Sequence, residues 1–325
     1  MRVMITGAAG FLGAALTRHL LSSGRLLAGL DGPRRISELV LVDRQSVVAP
    51  PQSAVSVRTL TGDLADPAFA AKLAAQACDS IFHLAATLTL QAERDPIQAY
   101  ATNVTPLRNL IEGAVKPPRL VFASSIAVFG GELPEVVDDT VRAEPDTTYG
   151  THKAMVELLL ANYSRLGYVD GRALRLPIVL IRSGAASPAV SDRVASIVRE
   201  PLEGRDVVCG LEPATRIPVA SAGAVAEALL RLHDVPAGQL PHARAMNLPA
   251  LTVSVAEMIA SVRRRDGRRT VGAIRYEVDS ALQRIVDSWP TTFTSSHALG
   301  LGLHADADFD AIIDQYLADT EPTAD

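Results

Sequence analysis

The chain has 325 residues, of which 48% are hydrophobic and 21% are charged, and its formal net charge is −5. This composition excludes a disordered chain and gives no reason to expect nucleic acid or an anionic membrane as a partner. The two cysteines, Cys78 and Cys209, cannot build a disulfide framework or a Cys-rich metal site, and no apolar run reaches the length of a membrane span. We therefore expect a globular cytoplasmic protein that holds no metal.

The chain begins with a pattern of strand, glycine turn and helix. Val3 to Thr6 form a short apolar run, Gly7, Gly10 and Gly13 follow, and residues 11–22 are predicted to be helical. Glycines let the backbone turn sharply, and a pyrophosphate can then lie against the amides of the helix N-terminus. The spacing is GxxGxxG rather than the GxGxxG of the general dinucleotide fingerprint. Alone, this loop indicates only a phosphate-bearing ligand.

The next strand ends in a candidate ribose-binding acid. Residues 25–37 are predicted to be an inserted loop, and Leu39–Val42 are predicted to be a buried strand that runs into Asp43. An acid at this place hydrogen-bonds the adenosine ribose in nicotinamide-binding folds, although Asp43 could also be an ordinary turn residue. Arg44 could meet a 2′-phosphate, but Asp43 would repel one. NAD is therefore favoured over NADP.

Two further strands are predicted at residues 55–60 and 81–84. Asp63 follows the first of them and either touches the adenine or caps a helix predicted at residues 67–76. The second strand runs into Ala85 and Ala86. Such small residues at the end of a strand would let a ligand approach the backbone.

A candidate catalytic segment follows a long helix predicted at residues 96–115, which carries Asn103. A strand at 120–123 ends in Ser124 and Ser125, residues 131–147 are predicted to be a loop, and Tyr149 then opens a helix that contains Lys153. Tyr149 and Lys153 share one helix face because they are four residues apart. A nearby ammonium and a cationic nicotinamide ring both favour the phenolate, so we expect a lowered Tyr149 pKa. With Ser125 on the reacting oxygen and Lys153 on the nicotinamide ribose, the set suits hydride transfer.

The repeated alternation of strand and helix predicts an α/β fold with a doubly wound parallel sheet. Its ligands would bind at the carboxyl ends of the strands. A sixth strand at 172–176 ends at Pro177, and the pattern loosens after it. We expect residues 1–177 to form a dinucleotide-binding domain that is completed by about 205–240, and residues 178–325 to form mainly a smaller C-terminal substrate-binding lobe. Helices are predicted there at 194–202, 222–233, 255–265 and 309–318, and strands at 245–248 and 274–278.

Six motifs in this order resemble the extended short-chain dehydrogenases/reductases: TGAAGFLG (6–13), LVD (41–43), GDL (62–64), HLAA (83–86), SSIAVFG (124–130) and YGTHK (149–153). The resemblance implies a Rossmann-type fold, NAD as the cofactor, a homodimer, and Ser125, Tyr149 and Lys153 as the catalytic triad. The candidate cofactor-binding residues are Gly7, Gly10, Phe11, Leu12, Gly13, Asp43, Asp63, Leu64, Leu84, Ala85, Ala86, Asn103, Tyr149, Lys153 and Pro177.

Five other stretches are similar to a narrower branch, the NAD-dependent D-erythronate dehydrogenases: DGRALRLP (170–177), IVREPLEG (197–204), TR (215–216), MNLP (246–249) and SWP (288–290). This similarity implies oxidation of the 2-hydroxyl of a small sugar acid to the 2-keto acid, with Tyr149 as the general base. The chain differs from the branch at residues 185–187 and 217–218, which are expected to face the substrate. It also carries Phe129 where sugar-nucleotide epimerases usually have Tyr.

The candidate substrate-binding residues are Thr89, Ser125, Tyr149, Arg182 and Arg216. Arg216 could clamp a substrate carboxylate, since a guanidinium binds one bidentately, or it could be a surface arginine. Two other functions stay open. One is a nucleotide-sugar epimerase or dehydratase of the same fold, which would recycle its cofactor. The other is a non-catalytic NAD-sensing module.

Overall fold

The computed structural model describes residues 1–27, 32–48, 54–180, 189–267 and 269–320. The strands, in chain order, are β1 (Arg2–Thr6), β2 (Arg25–Leu27), β3 (Pro33–Arg35), β4 (Glu38–Asp43), β5 (Ser56–Thr61), β6 (Ser80–His83), β7 (Arg119–Ser125), β8 (Val136–Val137), β9 (Asp170–Leu176), β10 (Ile178–Leu180), β11 (Val207–Cys209), β12 (Arg216–Ser221), β13 (Ala245–Asn247), β14 (Leu251–Ser254), β15 (Ile274–Tyr276) and β16 (Thr292–Phe293).

The helices are α1 (Phe11–Ser23), α2 (Pro67–Ala74), α3 (Thr89–Arg94), α4 (Pro96–Asn103), α5 (Thr105–Glu112), α6 (Thr148–Arg165), α7 (Val190–Leu202), α8 (Ala222–Asp234), α9 (Val255–Arg263), α10 (Ser280–Asp287), α11 (Ser296–Gly300) and α12 (Phe309–Thr320). None of the helices in the described ranges is long and apolar enough to cross a membrane.

A seven-stranded sheet in the order β13-β9-β7-β6-β1-β4-β5 forms the centre of the molecule, and all its strand pairs are parallel. Its central strands are buried on both faces, which explains their almost continuous apolar sequences. The order reverses between β4 and β6, on either side of β1. A crevice for a ligand opens at such a switch point, at the carboxyl ends of the strands. The predicted α/β doubly wound fold is confirmed.

Two predicted elements of the first half were wrong. Residues 25–37 do not form a simple inserted loop, because β2 and β3 pair as a short antiparallel ribbon. The helix predicted at 96–115 is two helices, α4 and α5, which meet at Val104. Pro106 lies in the first turn of α5. Because proline lacks an N–H and crowds the preceding turn, it favours a helix start over a helix interior.

The second half of the chain builds a smaller sheet and also completes the large one. β10, β12 and β14 form a three-stranded sheet, and α7, α9 and α12 pack around it. β13 is the outer strand of the central sheet, and α8 packs on β7 and β9. The core of the smaller unit also includes Ile126 and Phe129, which directly follow the end of β7. The division into two lobes stays a prediction.

Candidate active site

The glycine turn between β1 and α1 is packed so tightly that its first and last glycines have no room for a side chain. Gly7 has a φ of 77°, and a Cβ on it would lie 2.7 Å from the backbone nitrogen of Ala85. A Cβ on Gly13 would lie 2.3 Å from the carbonyl oxygen of Gly7. Gly10 is the N-cap of α1 and provides no side-chain hydrogen bond to the first amides of the helix. These amides and the bare loop fit the pyrophosphate of a dinucleotide. Phe11 and Leu12 open the helix beside it.

Asp43 lies against this glycine turn. Its Oδ2 accepts a hydrogen bond from Ala9 N at 2.9 Å, and its Oδ1 accepts one from Gln45 N at 3.0 Å. The carboxylate therefore stands at the carboxyl end of β4, next to the loop that would hold the phosphates. This is the position that a ribose-binding acid requires, and the role stays a prediction.

The alternative role of Asp63 as the cap of α2 is wrong. The cap is Asp66, whose Oδ1 accepts a hydrogen bond from Ala68 N at 2.9 Å. Asp63 instead accepts one from Ala65 N at 2.9 Å, in a turn of its own. The neighbouring Leu64 is buried. The adenine-binding role of Asp63 and Leu64 stays a prediction.

The segment after β6 is fixed by Asn103. The Asn103 side chain accepts a hydrogen bond from Thr87 N at 2.7 Å and donates one to Thr87 O at 3.0 Å. Leu84, Ala85 and Ala86 lie between β6 and this clamp, and Ala85 touches the glycine turn. Asn103 therefore holds the backbone that follows these residues, and its cofactor-binding role stays a prediction. Thr89 begins α3 directly beyond the clamp.

Ser125, Tyr149 and Lys153 come together at the carboxyl end of β7. Thr147 caps α6 by accepting a hydrogen bond from Gly150 N at 3.0 Å, so the helix starts immediately before Tyr149. The Ser125 hydroxyl accepts a hydrogen bond from Ala127 N at 3.1 Å and lies close enough to the Tyr149 phenol to act on its pKa. The Lys153 Nζ lies 5.5 Å from the centroid of the Tyr149 ring and donates a hydrogen bond to Ala123 O at 2.6 Å. The geometry suits the predicted roles, which stay a prediction.

Gly150 makes this close arrangement possible, and the sequence reasoning missed it. A Cβ at this position would lie 1.9 Å from the carbonyl oxygen of Ala127, in the 3₁₀ turn that follows Ser125. The start of α6 is thus pressed against the end of β7. The only sequence feature that could have indicated this role of Gly150 is its position directly after Tyr149.

Burial dominates the electrostatics of the pair. It raises the pKa of Tyr149 to about 12, while the hydrogen bond with Ser125 opposes this rise. Burial also lowers the pKa of Lys153 to about 7, and the charge of Glu157 opposes this fall. The expectation that the ammonium brings the Tyr149 pKa down is wrong for the polypeptide alone, because desolvation of the phenolate is the largest effect on this pKa and raises it.

A second residue that sequence reasoning missed links α3 to α6. The Glu93 carboxylate accepts a hydrogen bond from Thr148 N at 2.6 Å and one from the Thr148 hydroxyl at 3.1 Å. Thr148 is the first residue of α6 and precedes Tyr149. No sequence motif connects positions 93 and 148, so this contact could not be found before the fold was known.

The remaining predicted residues are more scattered. Pro177 is buried between β9 and β10. Arg216 is exposed at the start of β12, opposite Ser254 of β14, and the described contacts do not connect it with the triad. Arg182 lies outside the described residues, as do residues 185–187. The substrate-binding roles of Thr89, Arg182 and Arg216 stay predictions.

Comparison with known proteins decides the family. The model of the NAD dependent epimerase/dehydratase family matches residues 3–243. The chain belongs to this family. It is an NAD-dependent oxidoreductase, and the resemblance to the extended short-chain dehydrogenases/reductases is confirmed.

Two similar curated proteins are both named D-erythronate dehydrogenase. The protein of Cupriavidus necator is 40% identical over 98% of each chain, and that of Haemophilus influenzae is 37% identical over 98% of this chain and 99% of the relative. The resemblance to this branch is therefore confirmed as well. Among solved structures, a nucleoside-diphosphate-sugar epimerase from Agrobacterium tumefaciens is 34% identical and superposes with a TM-score of 0.90, over 98% of this chain and 94% of the other.

Proposed function

We propose that the protein oxidises the 2-hydroxyl of a small sugar acid, of which D-erythronate is the type, to the 2-keto acid with NAD. The observation that carries this proposal is the cluster of Ser125, Tyr149 and Lys153 at the end of β7, on the crevice that the glycine turn also borders. The two relatives named D-erythronate dehydrogenase support the substrate class, because they match over nearly their whole length.

In this mechanism Tyr149 takes the proton of the 2-hydroxyl, and Ser125 donates a hydrogen bond to the same oxygen as it becomes a carbonyl. The bound NAD supplies the acceptor for the hydride that leaves C2. Lys153 holds its ammonium beside the Tyr149 ring, where a positive charge stabilises the phenolate. The base has to be deprotonated to act, and Lys153 stabilises it only while the lysine is charged. Because the pKa of Tyr149 is raised and that of Lys153 is lowered to about 7, the rate of oxidation depends on both protonation states.

The cofactor is held by the residues that surround the crevice. Gly7, Gly10 and Gly13 receive the pyrophosphate, and Asp43 receives the adenosine ribose. Lys153 hydrogen-bonds the nicotinamide ribose. The arginines Arg182 and Arg216 are the proposed partners of the substrate carboxylate.

The experiment is a set of initial-rate measurements of NADH formation with four- to six-carbon aldonates. We expect steady turnover that is fastest with D-erythronate or a close relative, and a rate about 10²–10⁴-fold lower with Tyr149→Phe. No turnover with any aldonate would refute the proposal, whereas full activity of Tyr149→Phe would refute the assignment of the base. Steady turnover would also exclude an NAD-sensing module without catalysis.

A second candidate function is favoured by the solved relative from Agrobacterium tumefaciens, which is named a nucleoside-diphosphate-sugar epimerase. Such an enzyme recycles its cofactor and forms no net NADH. Thermal denaturation separates the two functions, because an epimerase is stabilised by nucleotide sugars and a sugar-acid dehydrogenase by aldonates. Aldonates are the expected stabilisers.

We also propose that the protein is a homodimer. Ile97 on α4 and Leu158 on α6 are 84% and 73% exposed, and the two helices pack against each other. Large apolar side chains on neighbouring helices favour burial against a second copy. Light scattering is expected to give twice the chain mass of 34.4 kDa.

A further inference from the structure

A buried carboxylate lies one helical turn beyond Lys153. Glu157 is 6% exposed, and its side chain accepts hydrogen bonds from the Ser124 hydroxyl at 2.5 Å and from the Arg175 guanidinium at 2.8–3.2 Å. Glu157 and Lys153 are four residues apart on α6, so their side chains are neighbours on one helix face. Glu157 has no role in the proposed mechanism.

Its partners fix this carboxylate from two strands. Ser124 precedes Ser125 on β7, and Arg175 lies at the carboxyl end of β9, paired with Ser124 in register. Arg175 Nη1 also reaches Asn247 Oδ1 of β13 at 3.4 Å, and its guanidinium carbon stands 5.0 Å from the centroid of the Phe129 ring. Several contacts therefore hold the Glu157 carboxylate in one position, so its negative charge is fixed relative to α6.

Lys153 needs such a neighbour because its own site is apolar. Its side chain is 3% exposed, and its Nζ lies 4.5 Å from the centroid of the Phe122 ring. Burial without an anion drives a lysine toward its neutral form. The titratable and charged groups on the elements around it are Tyr149 and Glu157 on α6, His83 on β6, Arg175 on β9 and Glu93 on α3. Of these, Glu157 is the anion whose charge acts on Lys153.

We propose that Glu157 is a positioning residue that acts through Lys153: its carboxylate, clamped by Arg175 and Ser124, favours the charged form of the lysine beside Tyr149. The catalytic consequence rests on the proposed function, since it assumes that Lys153 assists hydride transfer. The electrostatic statement itself concerns only the polypeptide. A neutral Lys153 would no longer stabilise the Tyr149 phenolate, so the loss of Glu157 would lower the rate without removing any group that touches the substrate.

The test depends on the small number of lysines in the chain. The chain contains three lysines, Lys72, Lys116 and Lys153, and the first two are exposed. Labelling lysine with carbon-13 at Cε gives one buried signal and two reference signals, and an NMR titration of the full chain then reports the charge of Lys153 without any substrate or turnover. We expect Glu157→Gln to lower the Lys153 midpoint by about one pH unit, because the substitution removes an opposite charge one helical turn away.

Two variants separate charge from structure. Glu157→Asp keeps the negative charge, so its Lys153 midpoint is expected to stay within about half a unit of the wild type, well inside the shift that loss of a charge produces. Asp170→Asn is the matched control, because Asp170 pairs with Arg119 at 3.0 Å at the opposite end of the strand that carries Arg175. It is expected to leave the midpoint unchanged.

A double variant provides a second test in case Glu157→Gln fails to fold. Glu157→Gln combined with Arg175→Met leaves no uncompensated buried charge and is therefore expected to be tolerated. Its Lys153 midpoint is expected to fall as well, because Glu157 is the charge that raises the Lys153 pKa. An unchanged midpoint in Glu157→Gln or in the double variant overturns the proposal, and so does an equal fall in Glu157→Asp.

The outcome stays separate from that of the proposed function. A shifted titration in a protein that oxidises no aldonate supports the role of Glu157 and refutes only the reaction. Where turnover is found, the kcat of Glu157→Gln is expected to fall about fivefold at neutral pH and to recover in Glu157→Asp, because a one-unit fall from a Lys153 pKa of about 7 lowers the charged fraction by about that factor.

Discussion

Replacing Gly13 with alanine tests whether the turn before α1 is shaped by its lack of side chains. The added Cβ would meet three backbone atoms, Gly7 O at 2.3 Å, Ala8 Cα at 2.7 Å and Ala8 C at 2.9 Å. A backbone cannot rotate out of the way as a flexible side chain can. The glycine turn must therefore move away from α1, and the amides that would hold the pyrophosphate move with it.

The magnitude follows from the contacts. Inserting one methyl group into a packed site costs about 1–3 kcal/mol, and the severe overlap with Gly7 O places this substitution in the upper part of that range. If the displaced loop binds NAD more weakly by a similar amount, affinity falls by about one to two orders of magnitude. The melting temperature is expected to drop by several degrees, at about 2 °C per kcal/mol for a chain of this size.

Gly24→Ala is the matched control, because Gly24 terminates the same helix at its other end. Gly24 has a φ of 62° and no heavy atom within 4 Å of an added Cβ, so its substitution introduces about 1–2 kcal/mol of backbone strain but no clash. We expect Gly24→Ala to lower the melting temperature and to leave NAD affinity unchanged, as measured by calorimetric titration. Wild-type NAD affinity in Gly13→Ala would refute the reasoning, and so would an equal loss of affinity in Gly24→Ala.

Three further predictions concern other parts of the molecule. Tyr149→Phe is expected to lower kcat by about 10²–10⁴-fold, as loss of a general base does, while calorimetry shows NAD affinity within a factor of a few; a loss of binding instead of rate would contradict the base assignment. Burial lowers the pKa of His83 to about 3. Below about pH 6.5 the unfolded chain therefore binds a proton at His83 that the folded chain does not bind. The free energy of unfolding is then expected to fall by about 1.4 kcal/mol for each pH unit of acidification. Denaturant titrations of wild type and His83→Gln from pH 7 to pH 5 measure this slope, which should be smaller in the variant. Ile97→Asp with Leu158→Asp is expected to convert a dimer into a monomer by light scattering, and a dimer that survives both changes would place the interface elsewhere.

The sequence predicted the structure best where a local motif, defined by residue type and spacing, is typical of one kind of turn, strand end or helix face. The GxxGxxG turn, the strand that ends at Asp43 and the four-residue spacing of Tyr149 and Lys153 all follow from local chain geometry. Such features depend on a few consecutive residues and on rules for turns, strands and helix faces. The central sheet could be predicted for the same reason, because each of its strands is recognisable as a short apolar run.

Contacts between distant segments could not be anticipated in this way. Glu93 meets Thr148 only because α3 packs on α6, and Glu157 meets Arg175 only because α6 packs on β9. Each of these pairs joins residues 18 to 55 positions apart. Their partners are set by tertiary packing, which no periodicity in the chain reports. The break between α4 and α5 differs, because Pro106 was visible and should have ended the predicted helix.

The pKa of Tyr149 shows why even a correctly predicted spacing did not give the correct electrostatics. Placing an ammonium near the phenol predicts a lower pKa, but the same placement also buries both groups, and burial penalises each charge separately. In this protein the penalty is the larger effect for Tyr149 and for Lys153 alike. A carboxylate that supports the lysine is then an electrostatic requirement of the site. The neighbour that meets it, Glu157, is visible in the sequence as a spacing of four residues but becomes meaningful only once the burial of Lys153 is known.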